Sequence, residues 1–251
     1  MNLSAIIITK NEENNIQSCI ENLSFADEVI VIDNQSFDKT ASIAKSMGAD
    51  VYQMPGLDFS FLRNLGREKA KSDWILYLDA DEKVTDSLKT EIKSAISDSG
   101  GFSGFQIIRH NYFFNKSWPK KEKMLRLIRK DSLLGWQGQV HETPMIEGKI
   151  GILKSEMLHF THKDLGSMLS KTNEWSEIEA FLRFKANHPQ MAPWRFIRVM
   201  VTAFWKSYIS QGGWIVGDTG LIESIYQAFS SFITYAKLWE MQNKSILKGK
   251  K

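Results

Sequence analysis

Short apolar strands alternate with amphipathic helices through the first third of the chain, and this alternation constrains the fold more than any other feature. Leu3–Thr9, Glu28–Asp33 and Trp74–Asp79 are runs of mainly apolar residues, typical of strands that are buried on both faces. The residues from about Glu13 to Leu23 place apolar side chains at i, i+3, i+4 and i+7, the spacing of one helix face. The alternation predicts parallel strands joined by right-handed helical crossovers.

The pattern changes near Gly101, where the regular alternation ends. Further strands are predicted at Phe105–Ile108, Met124–Ile128 and Ile152–Phe160, and the chain after Leu165 is predicted to be helical. We therefore expect an α/β domain followed by a helical C-terminal extension. The remaining predicted elements are a strand at Val51–Gln53, helices around Ala41–Met47 and Ser60–Lys71, and C-terminal helices at Leu165–Asn187, Trp194–Ser210 and Thr219–Gln242.

The composition is that of a globular protein that stays in the cytosol. The chain has 251 residues, enough to bury a sizeable core, and a net charge of +3. Its one cysteine, Cys19, excludes an internal disulfide and fits a reducing compartment. The apolar run Ala5–Ile8 is too short for a secretory signal, and no run reaches the roughly 20 apolar residues of a membrane span. We expect a cytoplasmic protein.

Polar side chains follow three of the predicted strands. Asn11, Asp33 and Asp79 lie at or just beyond the carboxyl ends of their strands, where ligands of open α/β sheets bind, so we expect them to share one crevice. The run Asp79-Ala80-Asp81-Glu82 is the sharpest feature, because two carboxylates after a buried strand can hold Mg²⁺ or Mn²⁺ beside a diphosphate. The alternative is a turn or capping role, since Asp-x-Asp tripeptides are common in surface loops.

Four segments together form a more specific pattern. They are Ile6–Ile16 with Thr9-Lys10-Asn11-Glu12 at its centre, Glu28–Thr40 with Asp33-x-x-Ser36-x-Asp38-x-Thr40, Arg63-Asn64-Leu65-Gly66 through Asp79-Ala80-Asp81-Glu82, and Trp136-Gln137-Gly138-Gln139-Val140-His141-Glu142. The first three resemble the ordered blocks of family 2 glycosyltransferases. The fourth resembles a segment of bacterial enzymes of the lipopolysaccharide-core β-glucosyltransferase type. The resemblance extends over about two thirds of the chain and is looser in the helical tail.

This resemblance implies a fold, a donor and a set of site residues. The fold is GT-A, a mixed but mainly parallel sheet flanked by helices, and the donor is a UDP-sugar bound with Mg²⁺ or Mn²⁺. The resemblance assigns roles by matched position. For the nucleotide, Thr9, Asn11 and Glu12 line its end of the crevice, and Asp33 accepts a hydrogen bond from the base. For the diphosphate and the metal, Arg63 binds near the phosphates, Asp79 lies near the ribose or a metal-bound water, and Asp81 is the direct metal ligand.

Inverting sugar transfer requires a base that takes the proton of the acceptor hydroxyl. His141 and Glu142 are the candidates, because they follow a glycine-containing loop with a tryptophan, Trp136, suited to stacking on a sugar ring. A carboxylate is the usual base in the family, so the resemblance favours Glu142, with His141 as its neighbour. A surface His-Glu pair without a catalytic role is the alternative.

Several of these residues also have purely structural interpretations. Thr9 and Asn11 could form a helix-capping turn, and Arg63 could be a surface charge paired with Glu68 or Asp58. His159-Phe160-Thr161-His162 has two imidazoles at a spacing that can ligate a metal. The resemblance favours His159 as a third metal ligand, and a hydrogen-bonded histidine at the end of a strand is the alternative.

Basic and aromatic residues in the second half suggest contact with an anionic surface. Eight basic residues between Arg109 and Lys130 are opposed by one acid, Glu122. The segment Trp194–Tyr208 is apolar and aromatic with interspersed basic residues, which fits a helix at a membrane interface. A core helix, or a helix in a dimer contact, is the alternative.

Taken together, the sequence predicts an inverting transferase that moves a hexose, with glucose expected, from a UDP-sugar to a lipopolysaccharide-core or related glycan. We expect residues 1–163 to form the transferase domain, with a nucleotide-binding half (1–100) and an acceptor-binding half (101–163), and residues 164–251 to form the extension. The predicted partners are the nucleotide sugar, a glycan or glycolipid acceptor and the cytoplasmic face of the inner membrane, without nucleic acid; the oligomeric state stays open.

Two other classes of function remain as alternatives. A nucleotidyltransferase would also join an α/β fold to acidic metal ligands, but it needs a glycine-rich phosphate loop where this chain has Lys10-Asn11-Glu12-Glu13. A non-enzymatic protein that binds membranes or nucleic acid would explain the Arg109–Lys130 cluster. It would leave the acidic strand ends unexplained, because such acids repel phosphate.

Overall fold

The computed structural model describes residues 2–55, 58–138 and 142–244. The chain divides into two compact units, one from residues 1–110 and 121–159, the other from residues 111–120 and 160–251. The helices are α1 (Ile16–Asn22), α2 (Thr40–Ser46), α3 (Phe59–Lys69), α4 (Asp86–Ser97), α5 (Leu165–Lys185), α6 (Pro193–Trp205) and α7 (Asp218–Gln242). A π-helical turn (Lys206–Ser210) and a 3-10 turn (Gly213–Val216) connect the last two helices.

One mixed sheet organises the first unit. The strands of the chain are β1 (Leu3–Thr9), β2 (Glu28–Asp33), β3 (Asp50–Gln53), β4 (Trp74–Asp79), β5 (Glu82–Val84), β6 (Phe102–Phe113), β7 (Lys116–Ser117), β8 (Glu122–Arg129), β9 (Leu133–Gln137), β10 (Thr143–Ile146) and β11 (Lys149–Thr161). The strand order is β3-β2-β1-β4-β8-β6-β11-β5, and β7 pairs with β6. The first four strands in this order are parallel, whereas β8 and β5 pair antiparallel with their neighbours β4 and β11.

The central strand β1 is buried along its whole length because both faces of the sheet are covered. Its side chains alternate: Leu3 and Ile7 pack into a core with α1, α2 and α4, while Ile6 and Ile8 pack into a second core with α3. Gly66 lets α3 approach closely, since a Cβ atom there would lie 2.6 Å from Cγ2 of Ile6. The three-layer α/β arrangement confirms the predicted fold class.

The second unit is mainly helical. Helix α7 packs against both α5 and α6, and a small core forms around Ala180, Met191 and Leu238. In the parts of the chain that the structure describes, no helix is both long enough and apolar enough to cross a bilayer. The assignment of residues 1–163 to the transferase domain and of 164–251 to an extension stays a prediction.

Most predicted elements are present with shifted ends, and some elements of the structure were not predicted. Strand β6 extends well beyond the predicted Phe105–Ile108, because its outer half pairs with β8 and β7. Three observed features were not expected from the sequence: α4, β5 and the antiparallel hairpin of β9 and β10. Helix α4 was missed although Thr85 forms an ordinary N-cap, with its hydroxyl accepting from the N–H of Leu88 at 3.3 Å.

Candidate active site

The ends of three parallel strands bring the first group of predicted residues together. Thr9 is paired with Asp33 across β1 and β2, and Ile8 is paired with Asp79 across β1 and β4. Asp33 and Asp79 therefore flank the end of β1, roughly two strand spacings, or about 10 Å, apart. The register of the sheet thus places these strand ends at one edge, as predicted, and their sharing of one crevice stays a prediction.

Asp33 is fully buried, and its carboxylate is held in place by neighbouring donors. One oxygen accepts from the backbone N–H of Ser36 at 3.2 Å and from Nε2 of Gln53 at 3.0 Å, and the other accepts from Oγ of Ser36 at 2.5 Å. Since a carboxylate has about four acceptor positions, the donors among the described residues leave one position for a further donor. A role for Asp33 in binding a base stays a prediction.

Asn11 and Glu12 join the loop after β1 to the loop after β2. Asn11 has a positive φ of 55°, a conformation that asparagine adopts more readily than most residues. Its Oδ1 accepts from the N–H of Phe37 at 3.0 Å, and its own N–H donates to Oγ of Ser36 at 2.8 Å. The N–H of Glu12 donates to Oγ1 of Thr40 at 2.8 Å. These contacts show a turn-forming role; contact with the nucleotide stays a prediction.

Asp79 lies between two arginines. Nη2 of Arg126 donates to one carboxylate oxygen at 2.8 Å, and Nη2 of Arg63 donates to the other at 3.2 Å. Burial by itself raises the pKa of the Asp79 carboxyl, but the charges of Arg126 and Arg63 act in the opposite direction and hold that pKa well below its usual value. Asp79 is therefore ionised at neutral pH.

Glu82 is a second buried carboxylate in the same network. Its side chain has no exposed surface, and it accepts from the N–H of Asp79 at 2.9 Å, from Arg126 at 3.1 Å and from Arg109 at 3.3 Å. Burial tends to lower the pKa of Arg126, but Asp79 and Glu82 outweigh that effect and raise it. The network fixes the backbone turn that carries Asp81.

Arg63 is a buried residue of α3, which excludes the surface ion pair with Glu68 or Asp58 considered from the sequence. Its Nε donates to Oε1 of Glu142 at 2.7 Å, and its guanidinium carbon lies 4.9 Å from the ring centroid of Trp136. The next residue, Asn64, bonds the backbone N–H and C=O of Trp136 at 2.8 and 3.1 Å. The Arg-Asn-Leu-Gly segment thus places a guanidinium and holds the tryptophan beside it.

The structure brings Asp81 and His159 together although they are far apart in sequence. Nε2 of His159 lies 3.4 Å from Oδ1 of Asp81, because β11 pairs with β5 and places His159 opposite Glu82. His162 belongs to the second unit, where its ring contacts Glu223 at 2.9 Å. Among the described residues, no group of three or more His, Cys, Asp or Glu side chains is arranged to hold a metal ion.

A carboxylate and an imidazole are donors that fit Mn²⁺, and a site with two protein ligands leaves positions for phosphate oxygens and water. The side chains of Asp81 and His159 therefore fit a cation that is also bound by the diphosphate of the sugar donor. Both oxygens of Asp79 already accept from guanidinium groups. A direct metal contact of Asp79 stays a prediction.

Glu142 lies at the site, whereas His141 lies outside the described residues. Among the described residues, only Oε1 of Glu142 takes a hydrogen bond, from Arg63. The role of Glu142 as a base stays a prediction.

Two arginines near the site were not predicted from the sequence. Arg109 and Arg126 were placed in a basic surface cluster, but Arg126 is 2% exposed and Arg109 pairs with Glu82 and Glu122. The missed signal is the position of Arg126 between Leu125 and Leu127 in an apolar strand. A charge in such a strand requires a buried partner.

Comparison with known proteins identifies the family. A family model described as glycosyl transferase family 2 matches residues 4–159. An uncharacterized glycosyltransferase of Rickettsia typhi is 28% identical over 97% of this chain and 88% of its own length. The lipopolysaccharide core biosynthesis glycosyltransferase LpsC of Rhizobium meliloti is 27% identical over 95% of this chain and 92% of its own.

A solved structure has the same fold. The crystal structure of TarS residues 1–349 from S. aureus in complex with UDP-GlcNAc aligns with a TM-score of 0.51 and 13% identity, over 98% of this chain and 92% of that chain. The family match spans the strand ends, Arg63, the Asp79–Glu82 turn and His159, which are the residues that meet in the first unit. This chain belongs to glycosyltransferase family 2.

Proposed function

We propose that the chain is an inverting glycosyltransferase that moves a hexose, specifically glucose, from a UDP-sugar to a lipopolysaccharide-core or related cell-surface glycan. The observation that carries the proposal is the meeting of Arg63, Asp79 and Glu142, which come from three separate elements of the first unit. The similarity to LpsC over most of the chain supports the acceptor class.

Buried donors without partners support an anionic ligand at this place. Nη1 of Arg63 and Nε of Arg126 are buried and have no hydrogen-bond partner among the described residues. An unsatisfied buried donor costs about 1–3 kcal/mol, and more when it is charged. A diphosphate beside Arg63 would satisfy one of these donors and add a charge-assisted hydrogen bond.

In the proposed reaction, the residues of the site have different roles. The acceptor oxygen forms a bond to the anomeric carbon, the bond from that carbon to the diphosphate breaks, and the electron pair leaves with UDP. Glu142 takes the hydroxyl proton. Arg63 orients Glu142 and the phosphates. Asp81 and His159 would hold Mg²⁺ or Mn²⁺, which neutralises charge on the departing diphosphate.

Thermal unfolding with UDP and Mn²⁺ tests the donor class. We expect UDP with Mn²⁺ to raise the unfolding temperature by several degrees, because a ligand at a hundredfold excess over its Kd stabilises the folded state by about 2.7 kcal/mol. Scanning fluorimetry measures the shift, with UDP plus EDTA and Mn²⁺ alone as controls. An unchanged unfolding temperature with UDP and Mn²⁺ would remove the support for a nucleotide-sugar enzyme.

Glu142→Gln tests the base. We expect turnover to fall about 10²-fold, the lower end of the range for general bases, while the Kd for UDP-sugar changes little. The amide keeps a hydrogen-bond acceptor for Arg63 and cannot take a proton. Single-turnover kinetics and calorimetric titration measure the two quantities separately. Equal losses in turnover and binding would make Glu142 a structural residue.

The acceptor class also defines a proposed location. Glycans of this class are built on a membrane-carried lipid, so we propose that the enzyme works in the cytoplasm at the inner-membrane face. The half-exposed aromatic residues of the second unit support this location.

A further inference from the structure

The outward face of α6 carries a row of large apolar side chains, here called the apolar stripe: Trp194, Ile197, Val201 and Trp205. They occur at i, i+3, i+7 and i+11, which places them on one face of the helix. Each is between 54% and 66% exposed, and no residue of α6 is buried. A solvent-facing helix surface is normally polar, so the apolar stripe needs another explanation.

The opposite face of α6 already has a partner within the second unit. Helix α6 packs on α7, and the rings of Phe196 and Phe232 meet edge to face at 5.9 Å. The interior of this unit therefore does not require the apolar stripe, which excludes the core helix considered from the sequence. The stripe is surplus apolar surface that points outward.

The charged residues of the segment that carries the stripe all have one sign. No Asp or Glu occurs from residue 180 to residue 217, whereas the same segment contains Arg183, Lys185, Arg195, Arg198 and Lys206. The guanidinium carbons of Arg195 and Arg198 lie 4.8 and 5.5 Å from the ring centroid of Trp194. Positive charge is thus held directly beside the aromatic end of the stripe.

Exposed apolar side chains, including a further tryptophan, follow α6. Trp214 and Ile215, on the 3-10 turn that follows, are 58% and 61% exposed. Exposed tryptophans with neighbouring Arg and Lys are typical of segments that lie in the headgroup region of a bilayer, where the indole rings and the cations both have favourable partners.

We propose that the apolar stripe, with Arg195, Arg198 and Lys206, docks the protein on a bilayer that contains anionic lipid. The stripe enters the boundary between headgroups and acyl chains, and the basic side chains contact lipid phosphates. This inference rests on the proposed function in one respect, that the acceptor is carried on a membrane. A second copy of the chain is a poorer partner, because a two-fold contact would oppose these cations without acids from the same segment.

Sedimentation of the full chain with vesicles tests the docking. We expect it to bind vesicles of phosphatidylcholine with phosphatidylglycerol, and each neutralised basic side chain, as in Arg198→Gln or Lys206→Gln, to weaken binding about fivefold. Vesicles of phosphatidylcholine alone should bind more weakly. The double variant I197E/V201E should lose at least tenfold in binding to the anionic vesicles.

The matched control is L165E/L169E, which adds two carboxylates at the same spacing to exposed positions of α5. It should bind vesicles like the wild type. Wild-type protein that stays in the supernatant with anionic vesicles, or I197E/V201E that binds as tightly as wild type, would overturn the docking. A wild-type dimer that I197E/V201E converts to a monomer, without vesicle binding, would also overturn it in favour of a second copy.

Hydrolysis of UDP-sugar in vesicle-free buffer separates this inference from the proposed function. The wild type and I197E/V201E should hydrolyse the donor equally, since the stripe is remote in sequence from every proposed catalytic residue. Loss of vesicle binding with retained hydrolysis would overturn the docking alone. Vesicle binding without hydrolysis of any UDP-sugar would leave the docking and overturn the proposed function.

Discussion

Asp81→Ala should lower turnover by about 10³-fold or more and leave the folded state intact. A cation held at a departing diphosphate contributes several kcal/mol to the reaction, and each 1.4 kcal/mol corresponds to a factor of ten in rate. Asp81 lies in a turn after β4, and its neighbour Glu82 makes the buried contacts that hold this turn. The measurement is the rate of UDP release at saturating Mn²⁺, together with the thermal unfolding curve.

Asp86→Ala is the control for this experiment. Asp86 is a nearby aspartate in the first turn of α4, is 96% exposed and contacts Lys89. Loss of this carboxylate should leave turnover unchanged.

His159→Ala should resemble Asp81→Ala in its loss of turnover and in a higher Mn²⁺ requirement. Near-normal turnover of Asp81→Ala would refute the metal assignment.

Arg126→Met should lower the free energy of unfolding by about 3 kcal/mol at pH 7, the lower end of the range for a broken buried ion pair, because Glu82 keeps Arg109 and Asp79 keeps Arg63 as a partner. Glu82 carries most of this effect, since its side chain is fully buried while Asp79 is one-third exposed and partly screened by water. Urea unfolding measures the difference. Arg129→Met, at a half-exposed position of the same strand, should cost less than about 1 kcal/mol.

The deficit of Arg126→Met should shrink as the pH falls. In the wild type the pKa of Asp79 is depressed, so its contribution to stability is present above the unfolded pKa of about 3.9 and is lost as the pH falls through the folded value. Without Arg126, only Arg63 still opposes the effect of burial, so the pKa of Asp79 is higher than in the wild type and protonation at low pH removes a weakly compensated charge. A deficit that is equal at pH 7 and pH 4 would show that Arg126 acts through packing alone.

The first half of the fold could be predicted because its signals are local. Apolar runs such as Leu3–Thr9 and the helix spacing before Leu23 depend only on neighbouring residues, and the predicted strands have close to the observed bounds. The hairpin of β9 and β10 was missed because its strands are short and contain Gly135 and Pro144, residues that weaken a strand pattern.

Site residues could be predicted only where the signal lies within one continuous segment of the sequence. Asp79 and Arg63 were predicted to lie near each other because they follow or face a strand end, and they form an ion pair at 3.2 Å. The roles of Asp79, Asp81 and Arg63 stay predictions. The ion pairs of Arg126 with Asp79 and Glu82 span 47 and 44 residues of sequence. Such pairings depend on the antiparallel β4–β8 contact, and a single sequence gives no signal for that register.

The place of β11 in the sheet has a consequence for synthesis of the chain. Strands β1 to β4 pair with one another and are complete once Asp79 has been made, but β5 pairs with a strand that ends at Thr161. Because non-local contacts form after the intervening chain is available, the contact of Asp81 with His159 is assembled last in its unit. A nascent or prematurely terminated polypeptide would therefore contain the loops after β1 and β2 without the contact between Asp81 and His159. If these two side chains hold the cation as proposed, such a polypeptide would be inactive until the final strand had been inserted.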